Sequence, residues 1–197
     1  MKLLFASQND NKVKEIQRLV PEGIEVIGLN DLDRIEELQE TSLTLEGNAR
    51  QKAQQVAERY QLPCFADDTG LEIQSLNNEP GVFSARYAGP EKNALKNIQK
   101  VLILMTEKAN RRAQFRTVVC SIINGEEIVF EGIVEGKILR EQRGENGFGY
   151  DPIFVPNGQT LTFAQMTMDE KNKYSHRARA FQNFLNYLNT LKSQTSS

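Results

Sequence analysis

The sequence predicts an α/β fold: a mixed central β-sheet flanked by helices. Three observations carry this. Short apolar strand patterns alternate with stretches of helical periodicity along most of the 197 residues, which is the alternation of a layered α/β domain. Asn124-Gly125 separates two β-rich runs, a hairpin signal that demands an antiparallel pair and so makes the sheet mixed. Hydrophobic residues make up 39% of the chain, and a domain of this length buries roughly 70% of its unfolded surface, enough for a core without disulfides or structural metals.

The elements follow in order. Leu3-Leu4-Phe5-Ala6 is a short buried strand. Val13, Ile16, Leu19 and Val20 recur at helical spacing, and Pro21 with Gly23 ends that helix. Residues 24–29 read as a second strand, and residues 30–42, acidic through Asp31, Asp33, Glu36, Glu37 and Glu40, as an exposed loop. From Thr44 to Tyr60, the positions Leu45, Ala49, Ala53, Val56, Ala57 and Tyr60 form one helical face. Residues 64–67 and 71–76 are expected to be strands separated by a turn at Asp68-Thr69-Gly70. A loop rich in Gly, Pro and Asn leads to Pro90, which suits the first turn of a helix over about 91–108. Residues 114–123 and 127–134 are the hairpin arms, and 135–160 read as a Gly-rich loop. The last helix, over about 175–192, puts Phe181, Phe184, Leu185, Leu188 and Leu191 on one stripe, and residues 193–197 are expected to be a flexible tail.

Composition narrows the function. Lys and Arg number 24 against 26 Asp and Glu, a net charge of -2. That argues against a broad nucleic-acid groove, which needs an excess of cations, yet leaves room for a small phosphorylated ligand held by local lysines. Cys64 and Cys120, each inside an apolar run, read as buried free thiols of a reducing, cytoplasmic compartment. The N-terminal apolar stretch is too short for a signal peptide, and no segment reaches the ~20 apolar residues of a membrane span. Residues 1–197 are expected to form a single domain.

Four segments bear chemistry. Ser7-Gln8-Asn9-Asp10-Asn11-Lys12 follows the first strand and opens a helix. Free backbone N–H groups and the helix dipole favour an anion there, and Lys12 adds a full charge; taken alone, the stretch also reads as an ordinary N-cap cluster. Asp67 and Asp68 close an apolar strand, where carboxylates are costly unless paired or metal-bound. Alternation along a strand sends them to opposite faces, and oxygen ligands suit a hard cation such as Mg²⁺; an Asx-turn before Gly70 is the plainer alternative. Gly147-Phe148-Gly149-Tyr150-Asp151-Pro152 sets an aromatic face in permissive backbone, as base stacking uses. Lys171 and Ser175-His176-Arg177 surround the start of the last helix. A lone histidine is more often a satisfied surface residue than a catalyst, but Arg177 at a helix N-terminus opposes the dipole unless an anion sits beside it.

Together these segments resemble the inosine/xanthosine triphosphate pyrophosphatase family. The carriers are Ser7-x-Asn9-x-x-Lys12, Glu40-Thr41, Asn48-Ala49-x-x-Lys52-Ala53, Ala66-Asp67-Asp68-Thr69-Gly70-Leu71, residues 80–87 with Arg86, Gly147 to Pro152, Glu170-Lys171 and Ser175-His176-Arg177. The resemblance implies an elongated mixed sheet in two lobes with a substrate cleft between them, a homodimer, one or more Mg²⁺ ions, and hydrolysis of ITP, dITP and XTP to the monophosphate and pyrophosphate. It implies that Ser7 through Lys12 and Lys52 grip the triphosphate, with Arg86 a further candidate near the phosphates. Glu40 and Asp68 would hold the metal, Asp68 also accepting the proton, and Thr69 would contact the substrate. Phe148 would stack on the base within Phe148-Gly149-Tyr150-Asp151, while Lys171, His176 and Arg177 would border the purine. Ser42 stands where the family commonly has Gly, and Gly47 where it commonly has an acidic residue.

The reaction so implied is attack of water on the α-phosphorus. Lys12, Lys52 and Mg²⁺ would offset the charge of the leaving pyrophosphate. A pyrophosphatase for other modified or pyrimidine triphosphates is the near rival. A nucleotide sensor without turnover is the distant one, and it would need phosphate and base contacts but no metal-holding carboxylates.

Overall fold

The computed structural model describes residues 2–20, 22–32 and 38–195, with side chains to residue 190. Pro21, Asp33, Glu36 and Glu37 lie outside the described residues, as does the side chain of Leu191. The elements are β1 (Lys2–Phe5), α1 (Asp10–Gln17), β2 (Glu25–Gly28), α2 (Leu45–Tyr60), β3 (Cys64–Ile73), β4 (Glu79–Pro80), α3 (Ala94–Leu104), β5 (Arg112–Ile123), β6 (Glu126–Ile138), β7 (Phe154–Pro156), α4 (Met168–Asn172) and α5 (His176–Thr195). Among the described residues the sheet runs β2-β1-β3-β5-β6-β7, with β4 beside β3. It is mixed: β1 pairs parallel with β2 and β3, and β6 pairs antiparallel with β7. Asn124 and Gly125 both take positive φ, at 53° and 80°, the two-residue turn that joins antiparallel arms.

The chain divides into two compact units whose boundaries fall within β3, β5, β6 and at the start of α5. The first holds Met1–Asp68, Thr117–Gly132 and Arg177–Ser197. Its core packs Leu3 and Phe5 of β1, Ile16 of α1 and Phe65 of β3 against Phe181, Phe184 and Leu188 of α5. Phe5 and Phe65 stack at 4.6 Å, and Phe181 meets Phe65 edge-on. Cys64 and Cys120 are buried free thiols, and burial pushes Cys64 up to about 12 and Cys120 to about 11, so neither is a thiolate at neutral pH. The second unit holds Thr69–Arg116 and Ile133–His176. Its core joins Ile73, Ile98, Val101, Phe115, Ile138, Phe154 and Phe163. Among the described residues no helix is long and apolar enough to cross a membrane.

Three expectations are corrected, and one helix was not foreseen. Residues 64–73 form one continuous strand, with no turn at Asp68-Thr69-Gly70. Gly70 serves close approach instead: a Cβ there would lie 2.5 Å from the Gly81 carbonyl oxygen. The third helix starts at Ala94, capped by the Asn93 side chain on the Lys96 N–H, because a capping side chain outweighs the preference of Pro90 for a first turn. Residues 135–160 are not one loop; β6 runs on to Ile138 and pairs with β7, a strand of three residues too short to show periodicity. The short helix α4, closed by a reciprocal Thr167–Glu170 capping box, has too few residues for a periodic pattern.

Candidate active site

The first unit gathers charge around Asp67 and Asp68 of β3. Asn9 caps α1, its side chain accepting from the N–H groups of Asn11 and Lys12, and this fixes the turn that aims Lys12 inward. Ser7 Oγ accepts from Asn9 N–H, and Asn30 holds the turn from outside by donating to the Gln8 carbonyl and the Asp10 carboxylate. Asn11 is exposed. Lys12 Nζ lies 2.9 Å from Asp67 Oδ1. Arg177, at the start of α5, donates from Nε to Asp67 Oδ2 at 3.4 Å and pairs through Nη1 with Glu15. The anion that a cation at a helix N-terminus calls for is therefore supplied by two buried carboxylates of the chain itself. Burial works against the charge of Asp67, but Lys12, Arg177 and Lys52 together outweigh it and hold the carboxyl well below the usual carboxylate range.

Lys52 projects from α2, where its ammonium lies 2.6 Å from Glu40, 2.7 Å from the Asp67 carbonyl and 3.7 Å from Asp68 Oδ1. Burial disfavours its charge, yet Asp68, Glu40 and Asp67 reverse the balance and raise its pKa. Asp68 takes a hydrogen bond from Asn48 Nδ2 at 3.1 Å. Burial raises the Asp68 pKa and Glu40 adds to the shift, against the pull of Lys52 and Lys12. Burial also lowers Lys12, which Asp67 resists while Lys52 and Arg177 reinforce it. Neighbouring carboxylates thus diverge: the cations around Asp67 hold it as an anion, whereas burial and Glu40 push Asp68 the other way.

The second unit gathers aromatic and cationic side chains around Asp151. Lys171, buried on α4, lies 2.8 Å from Asp151 Oδ2 and 4.7 Å from the Phe148 ring centroid. The same Asp151 oxygen accepts the Phe148 N–H at 2.9 Å, so one carboxylate orients both the ring and the ammonium. Gly149 takes φ +61°, and Tyr150 donates from its hydroxyl to the Ser84 carbonyl. His176 is buried and stacked on Phe115, with centroids 4.6 Å apart at 16°, which excludes the plainer alternative of a surface histidine. Thr69, half-buried, opens this unit on β3. Arg86 lies over the Phe83 ring at 5.2 Å.

The comparisons with known proteins point one way. The model of the Ham1 family matches residues 3–187. The chain belongs to the Ham1 family. It is 50% identical over 180 residues to a dITP/XTP pyrophosphatase of Flavobacterium psychrophilum, covering 91% of this chain and 95% of that one. Among solved structures it is similar to a HAM1 protein of Coxiella burnetii, with a TM-score of 0.88 and 38% identity over 96% of this chain and 99% of that one. The Staphylococcus aureus Ham1 protein gives a TM-score of 0.87 at 38% identity, over 96% and 99% of the two chains.

Within this Ham1 chain the structure brings Lys12, Glu40, Lys52, Asp68 and Arg177 together in one unit, and Phe148, Tyr150, Asp151 and Lys171 in the other. Arg177 bonds Asp67 and Glu15 in the first unit, whereas His176, its neighbour in sequence, belongs to the second. Glu40, expected on an exposed acidic loop, is drawn to Lys52 instead. Sequence reasoning assigned no role to Glu15 or Asn48. Glu15 lies three residues after Lys12 and so shares its helix face, which was the available signal.

Proposed function

We propose that this chain hydrolyses non-standard purine nucleoside triphosphates, ITP, dITP and XTP, at the α–β phosphoanhydride, releasing pyrophosphate and the monophosphate with Mg²⁺ as cofactor. The observation that carries the reading is Lys52, whose ammonium is 2.6 Å from Glu40 and 3.7 Å from Asp68. A cation beside two hard oxygen donors is what a metal–triphosphate site requires. Family membership and the activity named for the Flavobacterium relative set the substrate class.

The donor set fits Mg²⁺. Glu40 and Asp68 offer two carboxylates, and among the described residues no cluster of three or more His, Cys, Asp or Glu side chains builds a closed cage. Mg²⁺ characteristically takes one or two carboxylates and fills its other positions with water and phosphate oxygens. When bound there, the ion would supply Lewis acidity and charge neutralisation.

The residues of the chain do the rest. The N-terminus of α1, with Lys12 and Lys52, binds and neutralises the triphosphate. Asp68 removes the proton as water oxygen bonds to the α-phosphorus, while the bond to the pyrophosphate oxygen breaks and the electron pair leaves with it. Burial raises its pKa above the ordinary aspartate value. Asn48 holds the accepting carboxylate in orientation. In the other unit, Phe148 offers a stacking face, and Lys171 offers donors suited to a 6-oxo purine, which adenine lacks.

Pyrophosphate release from ITP is assayed with and without Mg²⁺, with competition among ITP, XTP, GTP and dTTP. Orthophosphate with IDP would overturn the α-phosphorus assignment, and preference for dTTP would overturn the purine reading. The reading includes a homodimer, which sedimentation equilibrium checks, and a cytoplasmic location, consistent with two free thiols and checked by fractionation.

A further inference from the structure

The segment carrying Glu40 has no strand or helix of its own at residues 38–44, yet its backbone is bonded to one face of α2. Gln55 reads residue 39 twice: its Oε1 accepts the Gln39 N–H and its Nε2 donates to the Gln39 carbonyl, both at 3.1 Å. Gln51 reads residue 41 twice, accepting the Thr41 N–H at 2.9 Å and donating to Thr41 Oγ1 at 3.0 Å. Asn48 Oδ1 accepts the Ser42 N–H at 2.9 Å, while its Nδ2 donates to Asp68 at 3.1 Å. Gln55 also donates to the Gln51 carbonyl at 3.0 Å, tying two rungs together.

Positions 48, 51 and 55 recur at three and four residues, so they line one side of the helix, and Lys52 falls among them. We propose that Gln51 and Gln55, with Asn48, are positioning residues that hold Glu40 in register with Lys52 and Asp68. Glu40 sits between two residues whose backbones are each clamped by a glutamine. Its Cα therefore cannot shift along α2 without breaking both clamps. The amides supply what a paired strand would supply elsewhere, satisfied backbone groups in a fixed register, for a segment with no strand or helix of its own. Asn48 reads the segment with one atom and Asp68 with the other, so the two carboxylates are set against a common ruler.

The inference rests on the metal-dependent pyrophosphatase reading, and the experiment separates the two. Gln51→Leu, Gln55→Leu and the double variant are compared with the parent in three measurements: Mn²⁺ binding to the free protein by electron paramagnetic resonance, amide hydrogen exchange over residues 38–44, and kcat and KM for ITP across a Mg²⁺ titration. The expected outcome, besides the change in activity, is weaker metal binding. Outer-shell partners of metal ligands typically carry 10–100-fold in affinity, so the expected loss is about tenfold for the double variant. Exchange over 38–44 rises, the Mg²⁺ requirement shifts upward, and saturating Mg²⁺ restores kcat with little change in KM. The singles keep the measurement meaningful if the double variant loses its fold. Parent-like Mn²⁺ affinity and exchange in folded variants would overturn the inference and leave the function standing. A parent without Mg²⁺-dependent pyrophosphate release would overturn both.

Discussion

Asp67→Asn and Asp68→Asn, two isosteric changes at adjacent residues, are expected to fail in opposite ways. The Asp67 side chain is 1% exposed and balances Lys12 and Arg177. Removing one partner of a buried ion pair costs about 3–5 kcal/mol. Arg177 keeps Glu15 and Lys12 keeps the attraction of Asp68, and asparagine preserves the volume, so the lower end applies, about 3 kcal/mol. At about 2–4 °C per kcal/mol for a chain of this size, Tm falls by about 6–12 °C. Asp68 carries a charge that burial already disfavours, so Asp68→Asn leaves Tm within about 2 °C. It removes the proposed proton acceptor, and kcat for pyrophosphate release is expected to fall by about 10²–10⁴ with a much smaller change in KM.

The pH dependence carries the same distinction. The folded pKa of Asp67 lies below its unfolded value, so its contribution is complete above about pH 4 and is lost as the pH falls further. Asp68, raised in the fold, contributes with the opposite sign, its cost relieved on protonation. Thermal melts from pH 5 to 2 should show a steeper acid limb in the parent than in Asp67→Asn. Equal melting temperatures for parent and Asp67→Asn, or near-normal turnover in Asp68→Asn, would refute the division of roles.

Three further outcomes are expected. A Cβ on Gly47 would meet Ser42 Oγ at 2.0 Å, so the two departures from the family pattern occupy the same space. Gly47→Glu alone should cost about 1–3 kcal/mol through overpacking, and adding Ser42→Gly should recover most of it, as a double-mutant cycle by urea denaturation would measure. Gly70→Ala, which drives a Cβ against the Gly81 carbonyl, should lower Tm by several degrees on the same overpacking scale, checked by calorimetry. Phe148→Ala should raise the KM for ITP by about 5- to 150-fold, given about 1–3 kcal/mol per stacked base, while inhibition by inorganic triphosphate stays unchanged; steady-state kinetics with both ligands tests this.

The sequence by itself determined whatever depends on local pattern. The apolar face of α2, the stripe on α5 and the Asn-Gly turn each follow from periodicity or from a single backbone preference, and the structure has them within a few residues of where the pattern puts them. The Ser7 to Lys12 turn and the Gly-flanked Phe148 were legible for the same reason, since their residue types act on neighbours in the chain. Tertiary structure decided what depends on distant partners. Gly70 looks like a turn glycine until the Gly81 carbonyl is packed against it. Asp67 and Asp68 are chemically identical, and their different electrostatics come from what surrounds them: Lys12 and Arg177 bonded to one, a more distant Lys52 and the like charge of Glu40 beside the other. Glu40 belongs to an acidic stretch with no pattern of its own, because its place is written in the amides of another element. Electrostatic environment and side-chain register are properties of assembled neighbours, and no window of consecutive residues contains them.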